Sequence, residues 1–205
     1  FSLIFFPVPP LAGILLQLVF YGTSLILNGM TISLLIVFFT IQNHTMDTDF
    51  LTGVYNRKRL ETYMKHKIKS CSEHHTFSAI LIDLNNFKSI NDNYGHDMGD
   101  RALEISASML KSCLRSNDFI ARYGGDEFYI ILDVSTQDDL DQAVDRINGC
   151  LEKYNSDPLK PYPLSFSMGY AVYDIKTQMR ADEFQRKIDK LMYENKRAYK
   201  ERLSL

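Results

Sequence analysis

The run Tyr123-Gly124-Gly125-Asp126-Glu127-Phe128 sets two glycines directly before two carboxylates. Phe119-Ile120-Ala121-Arg122 precedes it, and Phe128-Tyr129-Ile130-Ile131-Leu132 follows. β-rich segments around a glycine pair predict a hairpin with the glycines in its turn. Backbone without Cβ lets a phosphate approach closely. Carboxylates beside a phosphate repel it unless a cation lies between them, so the tip points to a metal-assisted nucleotide site. A second acidic segment supports this reading over a merely solvated hairpin tip. Ser78-Ala79-Ile80-Leu81-Ile82 is a short apolar strand that ends in Asp83. A carboxylate at a strand end can meet the tip of a neighbouring hairpin. Asp83 with Asp126 suits a hard cation, because Mg²⁺ takes one or two carboxylates plus phosphate oxygens and water.

Further blocks follow in order: Asp49-Phe50-Leu51-Thr52-Gly53-Val54-Tyr55-Asn56-Arg57, then Asp83-Leu84-Asn85-Asn86-Phe87-Lys88-Ser89-Ile90-Asn91-Asp92, then Tyr94-Gly95-His96-Asp97-Met98-Gly99-Asp100. Ser167-Met168-Gly169 and Met192-Tyr193-Glu194-Asn195-Lys196 come after the signature run. Together these blocks closely resemble the GGDEF family, the diguanylate cyclases of bacterial signalling, from about Asp47 to about Lys200. The resemblance implies condensation of two GTP molecules into cyclic di-GMP with release of two pyrophosphates. Each 3′-hydroxyl attacks the α-phosphate of the other nucleotide across a homodimer.

By the same resemblance, Asp83, the Leu84 carbonyl and Asp126 hold Mg²⁺ or Mn²⁺. Asp126 is also the candidate proton acceptor, and Glu127 supports the metal site. Gly124 and Gly125 lie against the α-phosphate. Asn91 and Asp100 match the guanine-reading positions. A carboxylate accepts from guanine N1–H and N2–H₂ together, a donor pair that adenine lacks. His96 falls at a nucleotide-contact position, and Lys88, just after the metal strand, is within reach of phosphate. Lys196 and Lys200, four apart on one helix face, match the β/γ-phosphate clamp. The family more often has Arg where Lys200 stands, and Lys lacks the bidentate fork. Arg115-Ser116-Asn117-Asp118 has the register of the RxxD inhibitory site for the product, which Arg146 is placed to join. Asn85 stands where many members carry Asp. The alternative function is a non-catalytic GGDEF receptor that binds GTP or cyclic di-GMP.

The elements expected to position these residues are helices at 52–70, 87–92, 98–115, 137–154 and 183–200. Strands are expected at 77–83 and 164–174, with the hairpin at 119–134. Val144, Ile147 and Leu151 have helical spacing and face the core. Pro158, Pro161 and Pro163 interrupt structure before the late strand. Mixed strands and helices predict an α/β sandwich on an antiparallel sheet, and the resemblance narrows this to a ferredoxin-like, polymerase-palm-like sheet flanked by helices.

The charged residues, 23 basic and 25 acidic, all lie after Asn43. Residues 1–43 therefore read as a transmembrane segment, best as two spans at about 1–20 and 24–42, because one upright span needs only about 20 residues; the alternative is one span plus a flanking loop. Residues 44–50 form a connector and 51–205 the catalytic domain. Arg57, Lys58 and Arg59 place that domain in the cytoplasm, at the bacterial inner membrane. A net charge of −2 gives no nucleic-acid footprint. Cys71, Cys113 and Cys150 are scattered and odd in number, so reduced thiols are expected. His74-His75 read as a solvated loop.

Overall fold

The computed structural model describes residues 6–20, 24–45, 47–72 and 75–203. The chain forms two compact units, 1–47 and 48–205. The first is a pair of helices, α1 (Val8–Val19) and α2 (Leu25–Thr45). Pro9 and Pro10 stand in the first turn of α1, where a missing N–H costs nothing. Leu15, Leu18, Val19, Leu27 and Leu34 are exposed on this pair. The two-span expectation is not supported. Helix α1 has 12 residues, about 18 Å at the α-helical rise, against a hydrocarbon core of about 30 Å. Among the described residues no helix is long and apolar enough to cross a membrane. Residues 21–23, between the two expected spans, lie outside the described residues, as does His74.

The second unit is an α/β sandwich. In chain order it comprises β1 (Tyr55–Asn56), α3 (Arg57–Ser70), β2 (Ser78–Leu84), α4 (Phe87–Tyr94), α5 (His96–Cys113), β3 (Phe119–Arg122), β4 (Glu127–Leu132), α6 (Gln137–Asn155), β5 (Phe166–Val172) and α7 (Ala181–Leu203). The strand order is β1-β3-β4-β2-β5. β2 pairs antiparallel with both β4 and β5, and β3 pairs antiparallel with β4. The expected antiparallel sheet is therefore present at the centre, but the sheet as a whole is mixed, because β1 joins β3 in parallel. Residues 52–56, expected to be helical, instead form a turn and this edge strand. Asn56 caps α3 by accepting from the Arg59 N–H at 3.0 Å, so the helix begins after it.

All seven residues of β2 are buried, as a central strand covered on both faces requires. Its side chains alternate between two cores. Ile80, Ile82 and Leu84 pack with Leu103, Ala107 and Leu110 of α5 and with Leu140, Val144 and Ile147 of α6. Ala79 and Leu81 pack on the other face with Leu60 and Met64 of α3 and with Phe184, Ile188 and Met192 of α7. Val144 and Ile147 are buried, and Leu151 packs at the edge of the same core. The proline stretch separates the end of α6 at Asn155 from β5.

Cys113 and Cys150 are joined by a disulfide, with Cα atoms 6.5 Å apart. This corrects the expectation of three free thiols. The C-terminal parts of α5 and α6 pack side by side, and spacing along the chain does not reveal that adjacency. Cys71 is free, and burial raises its thiol pKa.

Candidate functional site

The signature run is the connection between β3 and β4, with Arg122 opposite Phe128. The Tyr123 N–H donates to the Glu127 carbonyl at 2.8 Å and closes the turn. Neither Gly124 nor Gly125 has a positive φ, so backbone conformation demands glycine at neither. A Cβ on Gly124 would lie 2.8 Å from a Glu127 carboxylate oxygen. A Cβ on Gly125 would meet nothing within 4 Å. Gly125 is thus bare backbone facing open space beside two carboxylates.

β4 begins at Glu127, directly across from Asp83 at the end of β2. The Leu84 N–H donates to the Asp126 carbonyl at 3.1 Å. These contacts bring Asp83, Leu84, Asp126 and Glu127 to one end of the sheet. Asp83 is 4% exposed. Lys196 Nζ, from α7, lies 2.7 Å from both carboxylate oxygens of Asp83 and donates its hydrogen bond to Oδ2. Oδ1 is buried and faces the same ammonium, so one lysine serves both oxygens.

Burial first, and then the Asp83 charge, push the Asp126 carboxyl above its ordinary range. Glu127 is raised by burial, then by Asp83 and Asp126. Three mutually repelling carboxylates with one lysine fit a site completed by a divalent cation. Among the described residues no group of three or more His, Cys, Asp or Glu is arranged to enclose a metal. Mg²⁺ does not require such an enclosure, since it takes few protein ligands and keeps the rest for phosphate and water.

These raised carboxyls bind protons more tightly in the folded state than in the unfolded one. Their stabilising contribution is therefore present at low pH and lost as pH rises through the folded pKa. Without divalent ions, Asp126→Asn should melt at about the same temperature as the parent near pH 4 and above it near pH 7. Thermal melts across that range test this, and a pH-independent difference would contradict it.

Two residues that sequence reasoning passed over hold the hairpin in place. Arg122 donates through Nε and Nη2 to the Gly125 carbonyl, at 3.1 and 2.7 Å. Its Nη1 lies 3.3 Å from both oxygens of Asp49. Asp49 also accepts from the Thr52 N–H at 3.0 Å and hydroxyl at 2.6 Å. Asp49 is consequently held below the ordinary carboxylate range, despite the opposing effect of partial burial. The first acidic block thus acts as a bracket for the turn.

The departure at Asn85 also has a structural account. Its Oδ1 accepts from the Ser167 hydroxyl at 2.8 Å, and its Nδ2 donates to Ser165 Oγ at 3.1 Å. Both polar ends of this buried amide bond toward β5 and its approach, so Asn85 fastens the strand end.

Helices α4 and α5 meet at Gly95, whose φ of +86° favours glycine. Asn91, on α4, packs its side-chain amide against Gly99 of α5, so closely that a Cβ on Gly99 would overlap it. Asp100 is the next residue on α5 and is exposed, as are His96 and Lys88. The structure therefore brings Asn91 to the stretch that carries Asp100. Lys200 is exposed one turn beyond Lys196.

Arg115 and Asp118 close a tight turn between α5 and β3. The Arg115 N–H donates to Asp118 Oδ2 at 2.8 Å, and the Asp118 N–H donates to the Arg115 carbonyl at 3.0 Å. They line a cavity of about 380 Å³ with Thr48, Tyr55 and Lys111. Burial raises the Asp118 carboxyl, while Arg115 and Arg146 oppose the shift. Arg146 is exposed on α6 and does not line this cavity.

Comparison with known proteins shows the family. The family model for "Diguanylate cyclase, GGDEF domain" matches residues 46–202. The chain belongs to the GGDEF family. It is 34% identical over 156 residues to the probable diguanylate cyclase DgcC of Escherichia coli, covering 75% of this chain and 42% of DgcC. It is 33% identical over 141 residues to the diguanylate cyclase DosC of Escherichia coli, covering 67% of this chain and 31% of DosC. The chain thus spans less than half the length of these curated relatives. Among solved structures, a microbial GGDEF domain studied with cyclic di-GMP is 31% identical, with a TM-score of 0.64 over 77% of this chain and 94% of that one. The coiled coil and GGDEF domain of DgcB from Caulobacter crescentus, solved with cyclic di-GMP, gives a TM-score of 0.72 over 84% of this chain and 93% of that one. At 23% identity, that likeness shows the fold alone.

Proposed function

We propose that this GGDEF chain is a diguanylate cyclase that condenses two GTP into cyclic di-GMP and two pyrophosphates across a homodimer. The observation that carries the reading is the gathering of the repelling carboxylates Asp83, Asp126 and Glu127 at one sheet end, with Lys196 against Asp83 and the open backbone of Gly125 beside them. Asp83, the Leu84 carbonyl and Asp126 would hold Mg²⁺ or Mn²⁺, which would neutralise phosphate charge and lower the pKa of the attacking hydroxyl. The residues of this chain supply the rest. Lys196 and Lys200 attract the outer phosphates, with Lys88 and His96 at the nucleotide edge. Gly124 and Gly125 let the α-phosphate approach backbone, Asp126 accepts the hydroxyl proton, and Glu127 sustains the negative field. Asn91 and Asp100 read guanine. One domain aligns one GTP, so the second nucleotide comes from a second copy. Alignment of this kind accounts for about 7 kcal/mol or more of such barriers.

Arg115 and Asp118, with Arg146 nearby, are proposed to hold the product as an inhibitor. The N-terminal unit is proposed to associate with the bacterial inner membrane, leaving the catalytic domain in the cytoplasm. Its support is the exposed apolar surface of α1 and α2, not helix length.

The test is turnover of GTP with Mg²⁺ by the full chain at high concentration, with products separated by mass. Cyclic di-GMP is expected. A folded dimer that binds GTP and forms no product would replace this reading with that of a receptor. Guanine reading has its own test in Gly99→Ala. The new methyl would displace the Asn91 amide, a flexible side-chain end, and spare the helix backbone. KM for GTP should rise about ten-fold, as expected for one lost hydrogen bond, with the melting temperature nearly kept. An unchanged KM would remove Asn91 from the role.

A further inference from the structure

A second cavity, of about 790 Å³, opens on the other face of the sheet, between the N-terminal halves of α3 and α7. Leu81 and Tyr129 line it from the sheet. The Tyr129 side chain is 1% exposed, yet its hydroxyl has no hydrogen-bond partner. Gln185 Nε2, from α7, is likewise buried and without a partner. Both groups can donate, and both belong to residues lining this one space. Burying such donors unmet costs stability, so a cavity that collects two of them is fitted for a guest that brings acceptors.

The remaining walls are strongly polar. Arg57, Lys65, Arg180 and Arg186 supply cations. Arg57 is 3.2 Å from Glu61, and Asp182 lies 3.0 Å from Arg180 and 3.1 Å from Arg186. Lys65 has no ion pair among the described residues, and Asp189 also lines the space. Arg57 lies over the Tyr123 ring, 4.7 Å from its centre, which gives one wall a flat face. The volume falls within the range of small-molecule sites.

We propose that this cavity is a second ligand site, separate from the nucleotide site, for a small organic phosphate whose neutral part carries carbonyl-type acceptors. The carbonyls take the Tyr129 hydroxyl and the Gln185 amide, and the phosphate meets Lys65 and the arginine rim. The site is continuous with the catalytic hairpin. Tyr123 immediately precedes Gly124, and Tyr129 stands two residues beyond Glu127 on β4.

The probe is uridine monophosphate, titrated calorimetrically into the full chain. Uracil offers two carbonyl oxygens and lacks the donor pair by which guanine would be read. Saturable binding at one site per chain is expected, with Kd below about 1 mM. Tyr129→Phe removes a hydroxyl that has no partner in the empty protein, so the fold is expected to hold and binding to weaken about five-fold. Gln185→Leu provides the same readout at a more accessible position. Asn91→Ala should leave binding intact. The proposal is overturned by absence of saturation at about 10 mM, by binding that both cavity variants leave unchanged, or by binding that Asn91→Ala abolishes. Inorganic phosphate binding as tightly as the nucleotide would also overturn it, because the floor would then play no part. Failure of GTP turnover would count against the cyclase reading and not against this one.

Discussion

Asp126→Asn is expected to lower GTP turnover by about 10³-fold or more while leaving the domain folded. Asparagine has nearly the same shape, and the carbonyl that accepts from the Leu84 N–H belongs to the backbone. What disappears is one of two carboxylates facing the cation position, together with the proposed proton acceptor. Asp83 alone would then have to attract the cation, with Lys196 already 2.7 Å from its oxygens. The loss should fall mainly on kcat, because the guanine contacts proposed for Asn91 and Asp100 lie on α4 and α5 and remain. The same substitution relieves repulsion among Asp83, Asp126 and Glu127. The variant should therefore be more thermostable than the parent in the absence of metal at neutral pH, an exchange of stability for activity common at such sites. Initial rates at saturating GTP and Mg²⁺, paired with thermal melts, measure both. A drop of less than about ten-fold would show that Asp126 is not central to the chemistry.

The catalytic end of the sheet was legible because its residues sit in short contiguous blocks and adjoin strands with clear apolar runs. Asp83 and the Gly124–Phe128 run each end or begin a strand, and antiparallel pairing of those strands brings them together. The Arg122–Asp49 bracket was not legible, since its members are 73 residues apart and neither lies in a chemically suggestive pair. Asn85 stands where many members carry Asp, and the two bonds it makes toward β5 leave no mark on the sequence. The two-residue strand β1 is too short to carry a period-2 pattern, so the helix was expected to start early. The cavity between α3 and α7 leaves no mark on the chain. Tyr129 reads as an ordinary strand residue, and only the packing shows its hydroxyl without a partner. Residues 1–43 carry a strong compositional signal, but an unbroken apolar run does not mark where a helix begins, and α1 covers 12 residues of the span expected at about 1–20.

Gly169→Ala is expected to destabilise the domain by about 3 kcal/mol or more, a large part of the 5–15 kcal/mol that holds a typical domain folded. Gly169 lies in β5 opposite Leu81 of β2, and its Cα faces α7. A Cβ there would fall 2.7 Å from Met192 Cα, and nearer still to Met192 N and the Ile188 carbonyl. These are helix backbone atoms, which no side-chain rotation can move. Helix α7 also cannot retreat freely, because Phe184, Ile188 and Met192 are buried in the core beneath it. Retreat would carry Lys196, one turn beyond Met192, away from Asp83. The surviving folded fraction should therefore also bind GTP more weakly. Gly125→Ala is the opposite case. Its Cβ would meet nothing within 4 Å and its φ is not positive, so stability should stay within about 0.5 kcal/mol. Its methyl would occupy the space proposed for the α-phosphate, so turnover should fall while the fold is kept. Chemical denaturation of the two variants separates a glycine required by packing from one required by substrate. Equal stability of both would mean that α7 does not press on β5 as closely as the geometry indicates.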